Sequence, residues 1–478
     1  MLFNSPQFLV FFAVVTVLYF TIPRRLQWVL LLLASCYFYM AFIPAYILIL
    51  GFTIAVDYCA GLLIEGAADR WREPLLVASL AANIGVLAIF KYAGWLEGNL
   101  ASAARLLDWN YPLPVLAIVL PIGLSFHTFQ SLSYTIEVYR RRQRAERHPG
   151  IFALYVMFYP QLVAGPIERP QNLLHQLKAP HGFDYPRITG GLEQMALGFF
   201  KKMVIADRLA LLVNPIFDHP SSYDGIGLSL AVLGFAYQIY CDFSGYSDIA
   251  LGAAQVMGID LMQNFNRPYA ARSIAEFWSR WHISLSTWFR DYLYIPLGGN
   301  RVSALRWVVN VLITFLVSGL WHGANWTFVI WGGLHGTYYL CSGGARAVAR
   351  RVGIDRAAEA HARVAHATQV VTTFCLVSFA WIFFRARSVA DGGYIASHLL
   401  SVHWPPHLVL PIAREDLALL SLFIVMLEAA QWLQSRYPLR ESLAARPAII
   451  RWGLYYVLVM TILLAGVFSR QEFIYFQF

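Results

Sequence analysis

Charge is scarce in this 478-residue chain: Asp, Glu, Lys and Arg together make up 13% of it. A soluble domain carries roughly a quarter, so a water-coated globular enzyme is excluded. Cysteine is scarce as well. The five present (Cys36, Cys59, Cys241, Cys341, Cys375) lie in or beside apolar segments with no CxxC spacing, which indicates free thiols packed like small apolar groups and neither disulfides nor a zinc site. No GxSxG, HExxH or P-loop pattern occurs, so those hydrolase, zinc-peptidase and nucleotide-binding templates drop out. The stretch 219–224, HPSSYD, has the HxxxxD spacing of another acyltransferase class, but it sits in a Pro/Ser turn without companion motifs and reads as coincidence. There is no linker, low-complexity tract or repeat, so residues 1–478 read as a single multi-spanning domain. Residues 1–22 lack a basic start and a cleavage site, and read as a first anchor.

What is abundant is hydrophobic sequence, 58% of the chain. A hydrocarbon core takes about 20 apolar residues per crossing. Candidate spans are 7–22, 26–43, 45–64, 75–93, 113–134, 151–163, 190–213, 228–239, 307–320, 326–340, 370–384, 417–432 and 452–467. The expected fold is an all-α integral membrane protein with 11 to 13 membrane helices, some of them re-entrant. The net charge of +9 does not point to nucleic acid, because the basic residues cluster in short loops at 24–25, 140–147 and 346–356. Under the positive-inside rule these loops are cytoplasmic, which puts the N-terminus outside and agrees for the first two clusters.

Three polar stretches interrupt the spans: 94–111, expected on the outer, extracytoplasmic side; 148–186, with its closely spaced Pro and Gly; and 267–300. The last has aromatics every few residues, both charge signs and no spanning run, as expected of an interfacial or re-entrant helix. Residues 343–366 read as a basic, Ala-rich connection forming a solvated helix on the cytoplasmic surface.

Polar groups at membrane depth are costly and mark cavities or paths. The densest runs are YCDFSGYSD (240–248), FWSRWHISLS (277–286) and GLWHGANW (319–326). His322 stands out, flanked by Gly319, Gly323 and two tryptophans. A ring buried there is kept neutral and can accept a proton, which is what transfer of an acyl group from a thioester to a hydroxyl requires. A structural histidine donating to a backbone carbonyl fits the spacing equally well. His282 can orient an acceptor, or be an interfacial histidine bonded to Glu276. His127 and His335 rank behind both. Asp242 and Asp248 either line a polar path or brace Arg280 and Arg290.

The runs 240–248, SIAEFWSRWHISLSTWFRDYLYIPLGGNR (273–301) and GLWHGANWTFVIWGGLHG (319–336) resemble the membrane-bound O-acyltransferase family. Within it they are most similar to the bacterial branch that acts on alginate and teichoic acid. LPIGLSFHTFQSLSYTIEVYR (120–140) and FYPQLVAGPIER (158–169) match too; family motifs thus span 120–340, and the resemblance weakens beyond residue 385. It implies a ring of helices around a central tunnel in the bacterial inner membrane, with His322 as catalytic histidine and His282 as the second motif histidine. Asp242, Ser244, Asp248, Trp281, Trp321 and Asn325 are the expected substrate-binding residues. No cofactor is implied; an acetyl or other acyl thioester is the donor substrate. A polysaccharide is the acceptor, and a separate extracytoplasmic acyltransferase is an expected partner besides membrane lipid.

The tail 470–478, RQEFIYFQF, follows the last span. It reads either as an interfacial aromatic anchor or, by resemblance to the tyrosine motif of D-alanylation systems, as an acyl carrier through Tyr475. The rival to the whole reading is a transporter or flippase of a lipid-linked glycan, although the repeats common in transporters are missing.

Overall fold

The computed structural model describes residues 1–109, 121, 123–163, 165–352, 362–401, 410–468 and 473–474. Every regular element among them is helical, in agreement with the all-α expectation. Seven of these helices are long and apolar enough to cross a membrane, so the chain is a multi-pass membrane protein. The longer list of candidate spans read from sequence included shorter and interrupted pieces. Window 151–163 holds a helix of only nine residues. Window 190–213 is interrupted by a π-helical turn, and window 228–239 is part of one 32-residue helix. The polar stretch that begins at residue 94 continues the preceding helix as far as Leu106.

Contacts gather the chain into two units, Met1–Met195 with Tyr246–Met262, and Ala196–Gly245 with Gln263–Phe478. The first contains α1 (Pro6–Thr21), α2 (Gln27–Met40), α3 (Tyr46–Gly66), α4 (Asp69–Leu106), α5 (Leu124–Tyr139), α6 (Pro149–Met157), α7 (Pro170–Lys178) and most of α8 (Tyr185–Phe199). Helix α1 starts where Ser5 accepts the Phe8 amide and Pro6 presets the first turn. It is apolar all round: Leu9, Val10, Val14 and Val17 are exposed while Phe8, Phe11 and Phe12 are buried, the pattern of a helix wetted by lipid on one side.

Between membrane helices, lipid removes the usual hydrophobic drive, and buried hydrogen bonds hold the register. Asp57 of α3 does this here. Its Oδ1 accepts from Ser79 (2.6 Å) and Asn83 (2.9 Å) of α4 and from Thr135 (3.3 Å) of α5. The two motifs 120–140 and 158–169 meet in this unit. The His127 Nε2 lies 2.9 Å from the Leu162 carbonyl, and Gln130 donates to the Tyr155 carbonyl at 2.5 Å. Their role is therefore to fix each other, with Glu168 accepting from Asn172 (2.6 Å) and from the Met262 amide.

The second unit opens with the π-helical turn Phe200–Ala206 and continues through α9 (Asp207–Asp218) and α10 (Gly225–Val256), whose last part belongs to the first unit. Next come α11 (Ile274–Arg280), α12 (Ile283–Phe289), α13 (Ala304–His322), α14 (Trp326–Val352) and α15 (Ala362–Arg385). The remaining helices are α16 (Val389–His398), α17 (Arg414–Gln434), α18 (Leu439–Ala444) and α19 (Ala448–Ala465). Helices α13 and α14 form a tight pair because glycine lets backbone touch backbone. A Cβ on Gly319 would lie 2.3 Å from the Phe328 carbonyl oxygen, and one on Gly332 would lie 2.4 Å from that of Phe315. This is the small-residue crossing that membrane helices favour.

Candidate active site

His322 is the last residue of α13, and Gly323 leaves the helix in extended backbone. The chain must turn at once, and a Cβ on Gly323 would lie 2.1 Å from the Phe328 ring. Asn325 then starts α14. Its Oδ1 accepts the Thr327 amide (3.1 Å) and its Nδ2 donates to the Arg387 carbonyl (3.1 Å). Asn325 is thus a helix cap and a tie to the segment after α15. Trp321 is half-buried.

The His322 side chain is buried. The Trp331 ring stands edge-on to it at 5.1 Å and the Phe384 ring lies at 5.4 Å. One turn further along α14, His335 is wholly buried and lies 5.0 Å from the same indole. The Trp278 Nε1 faces the His335 Nδ1 at 3.3 Å. An indole nitrogen can only donate, so Nδ1 accepts and the proton of the neutral His335 ring sits on Nε2. That Nε2–H and the Trp331 Nε1–H are buried and have no hydrogen-bond partner among the described residues. Two donors therefore remain available in the aromatic cluster that holds His322, where an acceptor oxygen would satisfy them.

His282 occupies the junction of α11 and α12 in the left-handed region, at φ +43°, a backbone state uncommon for a residue with a side chain. Asn264 holds it there. The Asn264 carbonyl accepts the Ile283 amide (3.0 Å), and its side-chain oxygen meets His282 Nδ1 (3.1 Å), the Ser284 amide (3.2 Å) and the Ser284 hydroxyl (3.0 Å). His282 is buried, 2% exposed, and its partner is this amide. Glu276, the partner considered from sequence, binds Arg280 (2.6 Å) and Arg272 (3.3 Å) instead.

Trp281 is buried among Phe265, Phe277 and Trp381, with ring centroids 5.1 to 5.5 Å away. Trp381 stacks on Trp331 at 5.7 Å. Three tryptophans, 281, 381 and 331, thus run from the neighbourhood of His282 to that of His322, a dry aromatic wall.

Asp242 braces neither Arg280 nor Arg290, which pair with Glu276 and Asp291. It meets Lys202 at 2.5 Å, and Lys202 also meets Asp207 at 2.8 Å; all three are buried. Asp242 and His282 flank Phe243, whose ring lies 4.6 Å from the imidazole. The Ser244 hydroxyl is buried without a hydrogen-bond partner among the described residues. Asp248 belongs to the first unit, where it is half-buried and accepts from Gln194 at 3.4 Å. Tyr475 lies outside the described residues.

Neither Asn264 nor Lys202 stood out in the sequence, and His335 ranked there behind His322 and His282. For Lys202 the signal was present, a lysine pair inside an apolar run. For Asn264 none was. Among the described residues, no group of three or more His, Cys, Asp or Glu is arranged to hold a metal.

Residues 117–384 match the membrane-bound O-acyltransferase family. The chain is 40% identical over 395 residues to the "Probable alginate O-acetylase" of Pseudomonas aeruginosa, covering 81% of this chain and 73% of that protein. It is 34% identical over 429 residues to the peptidoglycan O-acetyltransferase of Helicobacter pylori, covering 81% and 78%. It is also 30% identical over 234 residues to the teichoic acid D-alanyltransferase of Bacillus subtilis, covering 46% and 58%.

Proposed function

The chain belongs to the membrane-bound O-acyltransferase family, and from that premise we propose that it is an O-acetyltransferase supplying an envelope or exported polysaccharide. A cytosolic thioester, acetyl-CoA or a like donor, gives up its acetyl group, which a passage through the protein brings to the other side of the membrane. Relatives carry names that refer to alginate and to peptidoglycan; an alginate-like polymer, cellulose or peptidoglycan is the acceptor class. The observation that carries this reading is His322, a buried imidazole walled by Trp331 and Phe384 within the family-matched segment.

In the proposed step, neutral His322 takes the proton of an attacking hydroxyl. The hydroxyl oxygen bonds to the thioester carbonyl carbon, the C–S bond breaks, and the departing thiolate recovers the proton from the imidazolium. The free donors of Trp331 and His335 suit the carbonyl oxygen as it gains charge. His282, fixed by Asn264, orients the acceptor. The attacking hydroxyl belongs either to the sugar or to Tyr475. A phenol (pKa about 10) leaves more readily than a sugar hydroxyl, so an acetyl-tyrosyl ester can pass its group onward to a separate extracytoplasmic acyltransferase. A glycan flippase, the rival class, would leave the thioester untouched.

The test is to incubate membranes containing the protein with acetyl-labelled CoA and a saccharide acceptor. Label should move into hydroxylamine-sensitive ester as free thiol appears. Thioester that stays intact while lipid-linked glycan crosses the bilayer would reject the proposal.

A further inference from the structure

Helix α19 has no buried residue, yet the chain beyond it turns inward. Phe473 and Ile474 are 1% and 2% exposed. This stretch is stapled to the second unit at three points. Arg208 donates to the Ala465 carbonyl at 2.7 Å, the Val467 amide to the Met203 carbonyl at 3.0 Å, and the Ile474 amide to Asp242 Oδ2 at 2.8 Å. Met203 lies in the π-helical turn Phe200–Ala206. Such turns displace the regular pairing of the helix ladder and recur at functional positions; here a carbonyl is offered to an amide from another part of the chain.

The other oxygen of Asp242 meets Lys202, from the same π turn. A carboxylate at this depth would be strongly unfavourable alone, and Lys202, shared with Asp207, offsets its charge. A buried carboxylate still has lone pairs to satisfy once it is paired, and Asp242 fills that need with the amide of a residue 232 positions away in sequence, which ties the end of the chain to this site. The neighbouring side chain completes the seat: the Phe473 ring lies 5.7 Å from Phe243, and Phe243 stands at 4.6 Å on His282. Phe473 and Ile474 therefore sit in the interior, with the Phe243 ring between Phe473 and a candidate site histidine, where a membrane-surface anchor would not be.

We propose that Asp242, paired with Lys202, is a positioning residue that seats Phe473–Ile474 across Phe243 from His282, making the C-terminal segment a working part of the acyl-transfer site. This rests on the acyltransferase reading above. It also reassigns Asp242: both its oxygens are engaged by the protein's own Lys202 and Ile474, so its contribution to the site is made through the tail.

Hydrogen–deuterium exchange on the full-length protein in lipid nanodiscs reads the seating, and acetyl transfer reads its consequence. In Asp242→Ala the C-terminal peptide should exchange at least about tenfold faster, as for loss of one charge-assisted hydrogen bond, and transfer should fall at least about tenfold. Ile474→Pro deletes the donor while leaving the Asp242–Lys202 pair intact, and should do the same even if Asp242→Ala folds poorly. Asp242→Asn keeps an acceptor for the Ile474 amide and leaves Lys202 paired with Asp207, and should keep exchange slow and retain most of the transfer. Unchanged exchange in Ile474→Pro would overturn the seating. Fast exchange with full transfer would overturn the tail's part in the reaction. Wild-type protein that transfers no acetyl group would refute the acyltransferase reading itself, separately from the exchange result.

Discussion

The edge of the His322 imidazole meets the Trp331 indole at 89°, with 5.1 Å between ring centroids. Because the same indole touches His335 on α14 at 5.0 Å, Trp331 joins the two histidines into one packed cluster. In the role proposed for His322, packing of this kind would leave the imidazole little freedom to rotate off a substrate, and positioning of that kind is where much of a catalytic advantage arises.

His322→Ala should lower acetyl transfer by about 10²–10⁴-fold, the usual cost of removing a general base, with expression and membrane insertion near normal. Polymer acetylation retained at normal protein level would remove His322 from the mechanism.

Asn264→Ala deletes the acceptor shared by His282, the Ser284 amide and the Ser284 hydroxyl. Buried donors left unmatched cost about 1–3 kcal/mol each at most, so the thermal midpoint should drop. Transfer should decrease by more than the folded fraction does, because His282 loses its left-handed setting. A variant with lowered stability but unchanged turnover per folded molecule would make His282 structural only.

Gly332→Val pushes side-chain atoms toward the Phe315 carbonyl, already 2.4 Å from an ideal Cβ. Backbone cannot swing aside as a flexible side chain would, so α13 and α14 must part. Overpacking costs typically about 1–3 kcal/mol and more where nothing yields. Reduced accumulation in membranes and loss of transfer are expected, and wild-type thermal stability in detergent would contradict the close crossing.

With the native cysteines replaced, a cysteine introduced at the exposed position Arg144 should react with a membrane-impermeant maleimide only after permeabilisation. The basic loop 140–147 is cytoplasmic under the positive-inside rule. Labelling from outside intact cells would invert the topology.

Tyr475→Phe retains an aromatic ring and removes the hydroxyl. If that hydroxyl carries the acyl group, polymer acetylation should stop while consumption of the thioester collapses to background. Full acetylation by the variant would confine the tail to a packing role.

The membrane character was legible because lipid constrains composition: apolar runs such as 45–64 and 452–467 correspond to Tyr46–Gly66 and Ala448–Ala465. The burial of His322 at a span's end was legible from the glycines and tryptophans around it. The state of His282 was not, since nothing in Trp-His-Ile announces a positive φ; it is imposed by Asn264 from 18 residues away. Nor was the partner of Asp242. Helical spacing assigns a face, but the π turn at Phe200–Ala206 inserts an extra residue and rotates the helix beyond it. Lys202 lies within that turn, off the regular helical ladder from which a face would be read. Arg280 is about as far from Asp242 along the chain as Lys202 is, so distance in sequence could not choose between them.

The lipid-facing helix α19 has a consequence for divergence. None of its residues is buried, and away from the side that meets the π-helical turn they answer to the hydrocarbon around them, so there one apolar side chain serves as well as another. Drift should erase its identity quickly while leaving its length intact, whereas Gly319, Gly332 and the tryptophan wall, each fitted to a specific neighbour, should change slowly. Distant descendants of this protein are therefore expected to remain recognisable by their middle and to look unrelated at the final span.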